Sequence, residues 1–280
     1  MKKIILFVSV ALLSFAIQAQ VKAPQPSPSA KIEQVIGLTD VSVSYARPSM
    51  KGRTIFGNLV PFDKLWRTGA NKNTEITFSE DVKVEGKELK KGTYAVFTKP
   101  GKENWEVIFY TDNTNWGIPK EWDEAKVAAK ATVKVNKIPM NVETFTIMFS
   151  DFTMNGATLN FLWENTEAAV KIEVPTKETT LASIEAVMAG PSANDHYKAA
   201  VFYKEIEEYT KAKEHIDKAV ASSKEPAFWY HRQQSLIYAK TGDKDGAIKA
   251  AKTSLTLAEK AGNADYVKMN KDSLAEWGAK

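Results

Sequence analysis

Hydrophobic and polar residues alternate with a period of two from Lys31 to about Pro175, for example at Val41–Tyr45 and Trp105–Tyr110. Strict alternation is typical of strands that bury one face. Asn155-Gly156 lies between two alternating runs, and this pair favours a hairpin because both residues tolerate positive φ. About nine strands separated by short turns predict an antiparallel β-sandwich or open barrel over residues 31–175.

The period changes to 3.6 after Pro175, which predicts helices. We interpret residues 176–193 as a linker with a short helix that stops at Gly190-Pro191. Ser192, followed three residues later by Asp195, fits the start of the next helix. The chain is therefore predicted to be an α+β multidomain protein whose second domain covers residues 194–280. The helices of that domain are expected at 194–208, 210–222, 226–241, 244–260 and 263–277.

An internal repeat of 35 residues runs through the helical part. The repeat resembles the tetratricopeptide repeat, in which an aromatic residue, a turn glycine and an early alanine let paired helices pack closely. The family's leading tryptophan is replaced by histidine, and the terminal proline is missing. Two pairs and a closing helix make a short array, so we expect this domain to depend on the β domain for stability. The repeated pairs are His196/His231, Tyr203/Tyr238 and Ala212/Ala247.

The first 30 residues have the composition of an export signal and a tether. Lys2 and Lys3 precede an apolar run, Ile4–Ile17, that is too short to span a membrane, and Ala19 suits signal cleavage. An N-terminal anchor helix is the alternative interpretation. Residues 20–30 are rich in proline and form a predicted tether. We therefore predict a signal peptide over residues 1–19 and a periplasmic or extracellular mature protein without a membrane span.

Composition restricts the chemistry further. The formal net charge of +4 is too balanced to indicate nucleic-acid binding, and the absence of cysteine excludes disulfides, cysteine-ligated zinc and thiol catalysis. The β domain contains no histidine, so it cannot form a Ser–His site. Neither a GxGxxG nor a GxxxxGK[ST] motif is present, and no pair of carboxylates is spaced for acid–base chemistry. We predict neither a cofactor nor a metal, and we favour a protein that is not an enzyme.

Arginine is concentrated in one stretch of the β domain. The chain has four arginines and 34 lysines, yet three of the arginines fall within 21 residues. Arginine captures carboxylates and phosphates with a fixed two-pronged geometry, so this concentration indicates an anion site. The alternative is an internal network in which carboxylates such as Glu75 or Asp81 pair with these arginines. The candidate ligand-binding residues are Arg47, Lys51, Arg53, Trp66, Arg67 and Asn71.

A loop bounded by Trp116 and Trp122 gives a second, weaker indication of binding. Loops rich in asparagine and aromatic residues can stack on sugars and form hydrogen bonds with them. The alternative is that these two aromatic residues close the end of the sandwich.

Three blocks in the β domain carry a family resemblance: ARPSMKGRTIFG, LWRTGANKNTEITFS, and DVKVEGKELKKGTYAVFTKPG followed by WEVIFY. Together, over about residues 28–175, they resemble a secreted bacterial family called domain of unknown function 2911. Helical repeat tails accompany this domain in such proteins. The resemblance implies export but no activity.

These observations favour an exported binding protein whose β domain holds a small anionic or polar ligand, including a carbohydrate, and whose repeats dock a protein partner. A carboxylate-dependent hydrolase acting on cell-envelope glycans is the second hypothesis, and a purely structural envelope protein is the third.

Overall fold

The computed structural model describes residues 23–279. The predicted signal peptide lies outside the described residues. The chain divides into two compact units between Pro175 and Thr176. The first, here called the β unit, is an antiparallel sheet, and the second, the helical unit, contains only helices. The predicted α+β fold class is therefore confirmed.

Nine strands of the described chain form one sheet in the order β1-β2-β3-β6-β7-β8-β9-β4-β5, and neighbouring strands are antiparallel. Most of the strands alternate buried and exposed residues, as the period of two predicts. Their bounds are β1 (Ser29–Ile36), β2 (Thr39–Ala46), β3 (Thr74–Phe78), β4 (Val82–Val84), β5 (Lys87–Leu89), β6 (Gly92–Pro100), β7 (Asn104–Tyr110), β8 (Val127–Thr153) and β9 (Gly156–Glu173).

The two long strands β8 and β9 bend, and the bend gives the sheet two facing halves. In β9 the bend lies at Glu164, which has a φ of 54°. Opposite it, the register of β8 shifts between Lys137 and Val142 and again before Thr146. Such irregularities re-aim a strand and increase its local twist. The first half of β8 pairs with β7 and the second half with β9, so one core lies between the two halves.

Large aromatic side chains fill the interior of the β unit. Trp105 and Trp163 are each 1% exposed. Trp66 stacks on Trp163 with ring centroids 5.8 Å apart, and Phe56 meets Trp105 edge-on at 5.1 Å. Edge-to-face and offset-stacked pairs of this kind add stability beyond the area that they bury.

The hairpin predicted at Asn155-Gly156 exists, but its geometry differs from the expectation. The turn residues are Met154 and Asn155, and Gly156 is already the first residue of β9. Gly156 does not adopt a positive φ; instead, a Cβ there would lie 2.3 Å from the carbonyl oxygen of Ile172. Glycine is required because the two ends of the bent strand approach each other closely.

The helical unit consists of six helices. The observed ends lie within three residues of those predicted, which is ordinary for helix termini. The predicted linker contains a helix that begins directly after Pro175. Among residues 23–279, no helix is both long enough and apolar enough to cross a bilayer. The bounds are α1 (Thr176–Val187), α2 (Ala193–Glu205), α3 (Tyr209–Ser222), α4 (Phe228–Lys240), α5 (Lys244–Lys260) and α6 (Ala264–Glu276).

The start of α2 and the repeat alanines follow the sequence pattern. The Ser192 side chain accepts from the backbone N–H of Asp195, while the Asp195 carboxylate accepts from the N–H of Ser192, which completes a capping box. Ala212 on α3 and Ala247 on α5 are fully buried. Alanine at these positions lets the helices of each pair approach closely.

Candidate ligand-binding site

The first two arginines of the predicted site fix one loop, Arg47 by bonding to β8 and Arg53 by bonding within the loop. Arg47 donates from Nε to the carbonyl oxygen of Phe145 at 3.1 Å and from a terminal nitrogen to Thr146 Oγ1 at 2.8 Å. Arg53 donates to the carbonyl oxygens of Met50 and Ser49 at 2.8 and 2.7 Å. Both guanidinium groups thus bond mainly to backbone carbonyls, which fixes the conformation of the loop.

The other predicted residues lie in different surroundings. Arg67 donates to the carbonyl oxygen of Asn71 at 2.9 Å, so these two residues are in contact. The Asn71 side chain donates to the backbone of Ser27 at 3.2 Å. Trp66 belongs to the aromatic core, and its indole N–H donates to the carbonyl oxygen of Gly69 at 3.1 Å. No described contact joins Arg67 to the two arginines that hold the other loop.

The carboxylates proposed as arginine partners are engaged elsewhere. Glu75 pairs with Lys72 at 2.9 Å, and Asp81 pairs with Lys90 at 2.8 Å. Lys51 is exposed, and its backbone N–H donates to Glu143. Within residues 23–279, no ion pair includes any of the three clustered arginines.

A cavity of about 300 Å³ opens into the β unit beside the bend of β9. We call it the bend cavity. Its apolar wall is mainly aromatic, and its polar wall carries two ammonium groups, one carboxylate and one hydroxyl. The lining residues are Phe56, Phe62, Gly101, Lys102, Trp105, Val135, Lys137, Glu164 and Thr166.

The carboxylate of the bend cavity is held by the backbone. Glu164 accepts from the N–H of Ile55 at 3.0 Å with one oxygen and from the N–H of Phe56 at 3.3 Å with the other. Two backbone dipoles directed at a carboxylate stabilise its charge. The same bonds hold the aromatic ring of Phe56 in the cavity wall, since they fix the loop that carries it.

The two lysines of the bend cavity are exposed and carry no ion pair. Lys137 donates to the buried hydroxyl of Thr166 at 3.3 Å, and the Lys102 ammonium lies 5.9 Å from the ring centroid of Phe62. Neither ammonium belongs to an ion pair of the described chain. The opening therefore presents two positive charges above an apolar interior, which suits a ligand with an anionic end.

A glycine lets the Phe62 ring reach its place in the cavity wall. Gly57 adopts a φ of +88°, and a Cβ at this position would lie 2.5 Å from the Phe62 ring. Any side chain there would displace the ring.

Sequence reasoning missed the bend cavity. Phe56 was visible within the arginine-rich stretch, but Lys102, Lys137 and Glu164 are separated from it by dozens of residues. They meet only because β8 and β9 bend, and no local sequence pattern predicts that bend.

The two aromatic residues that bound the loop from Trp116 to Trp122 have different surroundings. Trp122 stacks on Tyr110 at 4.5 Å and packs against Phe97, so it covers the face of β6 and β7 that points away from the main core. Trp116 is 75% exposed. The backbone N–H of Gly117 donates to the buried Asn73 side chain at 3.0 Å, which holds the loop in place.

Two histidines of the helical unit form a pair that the sequence did not predict. The Nδ1 atoms of His196 on α2 and His215 on α3 are 2.9 Å apart, and Tyr203 stacks on His215 with centroids 5.4 Å apart. Burial lowers the pKa of both imidazoles, and the positive charge of His196 lowers that of His215 further. Within the described residues, no group of three or more potential metal ligands is present.

One comparison with known proteins gives a match. The family model described as a protein of unknown function (DUF2911) matches residues 27–172, which include β1 to β8 and all of β9 except its last residue. No curated protein matches the chain, and no solved structure matches it.

Proposed function

The chain belongs to DUF2911, a family of proteins of unknown function, and from this premise we propose that it is an exported, non-enzymatic binding protein. The β unit holds a small anionic ligand in the bend cavity. The carrying observation is the juxtaposition of two ammonium groups without ion-pair partners, Lys102 and Lys137, with an aromatic interior. An apolar pocket with a few well-placed polar groups is the usual form of a small-molecule site.

The electrostatics of the bend cavity favour an anion over a cation. Both oxygens of Glu164 already accept from backbone N–H groups, whereas neither Lys102 nor Lys137 belongs to an ion pair of residues 23–279. A ligand carboxylate or phosphate supplies the missing partner and gains charge-assisted hydrogen bonds.

A tetratricopeptide-like role for the helical unit is the second part of the proposal. The alanine positions of the repeat support this role, because Ala212 and Ala247 are buried between paired helices. Trp229 on α4 is 40% exposed and Met269 on α6 is 38% exposed, so apolar surface is available to a protein partner. We expect the parent chain to capture a protein partner from envelope extract. We expect the Trp229→Ala variant to fail to capture that partner.

The hydrolase hypothesis has less support. Glycoside hydrolysis needs two carboxyl groups on either side of the scissile bond. Among the described residues, Glu164 is the one carboxylate that lines the bend cavity, and both of its oxygens accept backbone hydrogen bonds.

Calorimetric titration of the mature chain with phosphate, sulfate, glucuronate and phenylacetate tests the binding site. We expect at least one of these anions to bind, and the variants Lys102→Gln and Lys137→Gln to weaken that binding. Lys83→Gln is the matched control, because Lys83 is also an exposed lysine of the β unit but does not line the cavity.

The arginine hypothesis is tested in the same titrations. If Arg53→Lys or Arg67→Lys abolishes anion binding while the cavity variants keep it, the site lies at the arginine loops and not in the bend cavity. If no anion binds the parent chain, the binding function itself is wrong.

Export is tested separately, by the intact mass of the protein in the envelope fraction. A chain that begins near Gln20 supports cleavage after Ala19, whereas a full-length chain in the cytosol contradicts it.

A further inference from the structure

We infer that the ligand of the bend cavity is an aryl monocarboxylate, an acid with one aromatic ring and one carboxylate on a short linker. This inference rests on the proposed binding function and narrows it to one chemical class. It follows from the size of the cavity, the nature of its walls and the position of its charges.

Size sets the first limit. The cavity of about 300 Å³ lies at the small end of the ~300–1,000 Å³ range of small-molecule sites. This size favours a ligand with one six-membered ring and a short acid chain over a disaccharide or a nucleotide.

The walls set the second limit. Phe56, Phe62 and Trp105 all line the cavity, and Phe56 already meets Trp105 edge-on with an interplanar angle of 61°. Aromatic rings prefer edge-to-face and offset contacts, so a flat ring extends this arrangement better than a flexible chain does. A planar ligand also loses less conformational entropy on binding than an alkyl chain of the same size.

The charges fix the orientation of the ligand. The exposed ammonium groups of Lys102 and Lys137 lie at the opening, whereas Trp105 is buried at 1% exposure. The carboxylate therefore points outward to the lysines and the ring points inward. Glu164 is the negative group on the wall, and it disfavours the reverse orientation as well as a second carboxylate on the ligand.

The test compares five probes on the full mature chain by calorimetry and by intrinsic tryptophan fluorescence: phenylacetate, octanoate, phenethylamine, phenethyl alcohol and inorganic phosphate. We expect phenylacetate to bind best. Lys102→Gln and Lys137→Gln each remove one ammonium group. Each variant should weaken the binding of phenylacetate on the order of tenfold, as expected for a lost charge-assisted hydrogen bond. Lys83→Gln leaves its affinity unchanged.

Each other result has a defined meaning. Phosphate binding without phenylacetate binding leaves the proposed function standing and overturns the aryl acid. If octanoate binds as well as phenylacetate, the ligand does not need an aromatic ring. If phenethylamine or phenethyl alcohol binds as well, the ligand does not need a carboxylate. Either result contradicts the inference. Phe62→Leu keeps the cavity apolar but removes an aromatic wall, so phenylacetate should lose affinity while octanoate keeps whatever affinity it has. If no probe binds, the inference and the proposed anion site both fail.

Discussion

In the β unit, large aromatic side chains from distant parts of the chain fill the interior, whereas the helical unit closes its helix pairs around alanines. Trp66 contacts both Trp105 and Trp163 in the first, while Ala212 and Ala247 lie buried in the second. The difference has a consequence for function. Large rings that meet edge-on border the bend cavity of the β unit, whereas small side chains let the helices of a pair come into close contact.

The two units also use polar groups differently. In the helical unit, Asp217 on α3 accepts from Tyr238 and Gln234 on α4, so side-chain hydrogen bonds join one helix pair to the next. In the β unit, the corresponding carboxylate is Glu164, and its donors are backbone N–H groups instead of side chains. We therefore expect the β unit to respond most to lost volume, and the helical unit to added volume and lost caps.

The largest effect should follow from Trp163→Ala. This substitution removes a buried indole that stacks on Trp66 and packs on Phe145, so it should lower the free energy of unfolding of the β unit by about 3–5 kcal/mol. Chemical denaturation of the full chain, followed by near-ultraviolet circular dichroism, measures it. Trp116→Ala is the control and should change stability by less than ~0.5 kcal/mol, because Trp116 is exposed.

In the helical unit, Gly246→Ala should be destabilising by about 1–3 kcal/mol, although alanine is normally the better helix former. A Cβ at Gly246 would lie 2.4 Å from the Tyr238 ring and 2.6 Å from the Asp243 carboxylate that caps α5. Thermal unfolding followed at 222 nm measures the loss. Gly190→Ala has open space and serves as control. Equal effects at the two glycines would mean that close packing of α4 and α5 is not what stabilises the pair.

Ser192→Ala should cost about 1 kcal/mol, because it removes the side chain that accepts from the N–H of Asp195 at the start of α2. Ser222→Ala is the comparison, since Ser222 lies exposed in the last turn of α3. Urea denaturation of both variants gives the difference. A negligible loss from Ser192→Ala would show that α2 does not need its cap.

The smallest expected effect is a dependence of stability on pH that differs between the two helix pairs. His196 and His215 face each other in the first pair, whereas Ala250 occupies the position equivalent to His215 in the second. Burial lowers the pKa of both facing imidazoles, so the unfolded chain binds protons more tightly than the folded one. Above the unfolded pKa of about 6.5, the two imidazoles are neutral and do not lower the free energy of unfolding. That free energy falls as the pH drops from there through the lower pKa values of the folded chain.

Melting temperatures at several pH values between 8 and 5 test this dependence. Three neighbouring charges also act on the pair: Glu214 favours protonation of both imidazoles, Asp195 favours that of His196, and Lys218 opposes both. His215→Gln should reduce the loss of stability on acidification. Burial lowers the pKa of His231 as well, so His231→Gln should also reduce the loss, but by less, because His231 contacts Gln234 and not a second imidazole. A parent chain whose melting temperature is constant over this range would contradict the prediction.

Several elements could be predicted from the sequence because their cause is local. The alternation of Val41–Tyr45 produces a strand, Ser192 and Asp195 form the capping box, and the spacing of Ala212 and Ala247 marks equivalent helix positions. Each of these depends on residues a few positions apart, or on a repeat that can be counted.

The candidate site could not be predicted in the same way. Glu164 and Ile55 meet only through a bend in β9, and a sequence pattern gives strand identity but not where a long strand bends. The clustered arginines were visible, but their acceptors are backbone carbonyls, which have no sequence signature. His196 and His215 likewise face each other because of how α2 packs on α3.

The bend in β9 also has a consequence for the order in which the protein folds. The bond between Ile55 and Glu164 joins residues 109 positions apart, and that between Tyr45 and Ile147 joins residues 102 apart, whereas the His196–His215 contact spans 19. Contacts between distant residues form slowly because a long loop must close first. The wall of the bend cavity therefore forms late, after most of the β unit is available, while the helix pairs assemble from neighbouring segments.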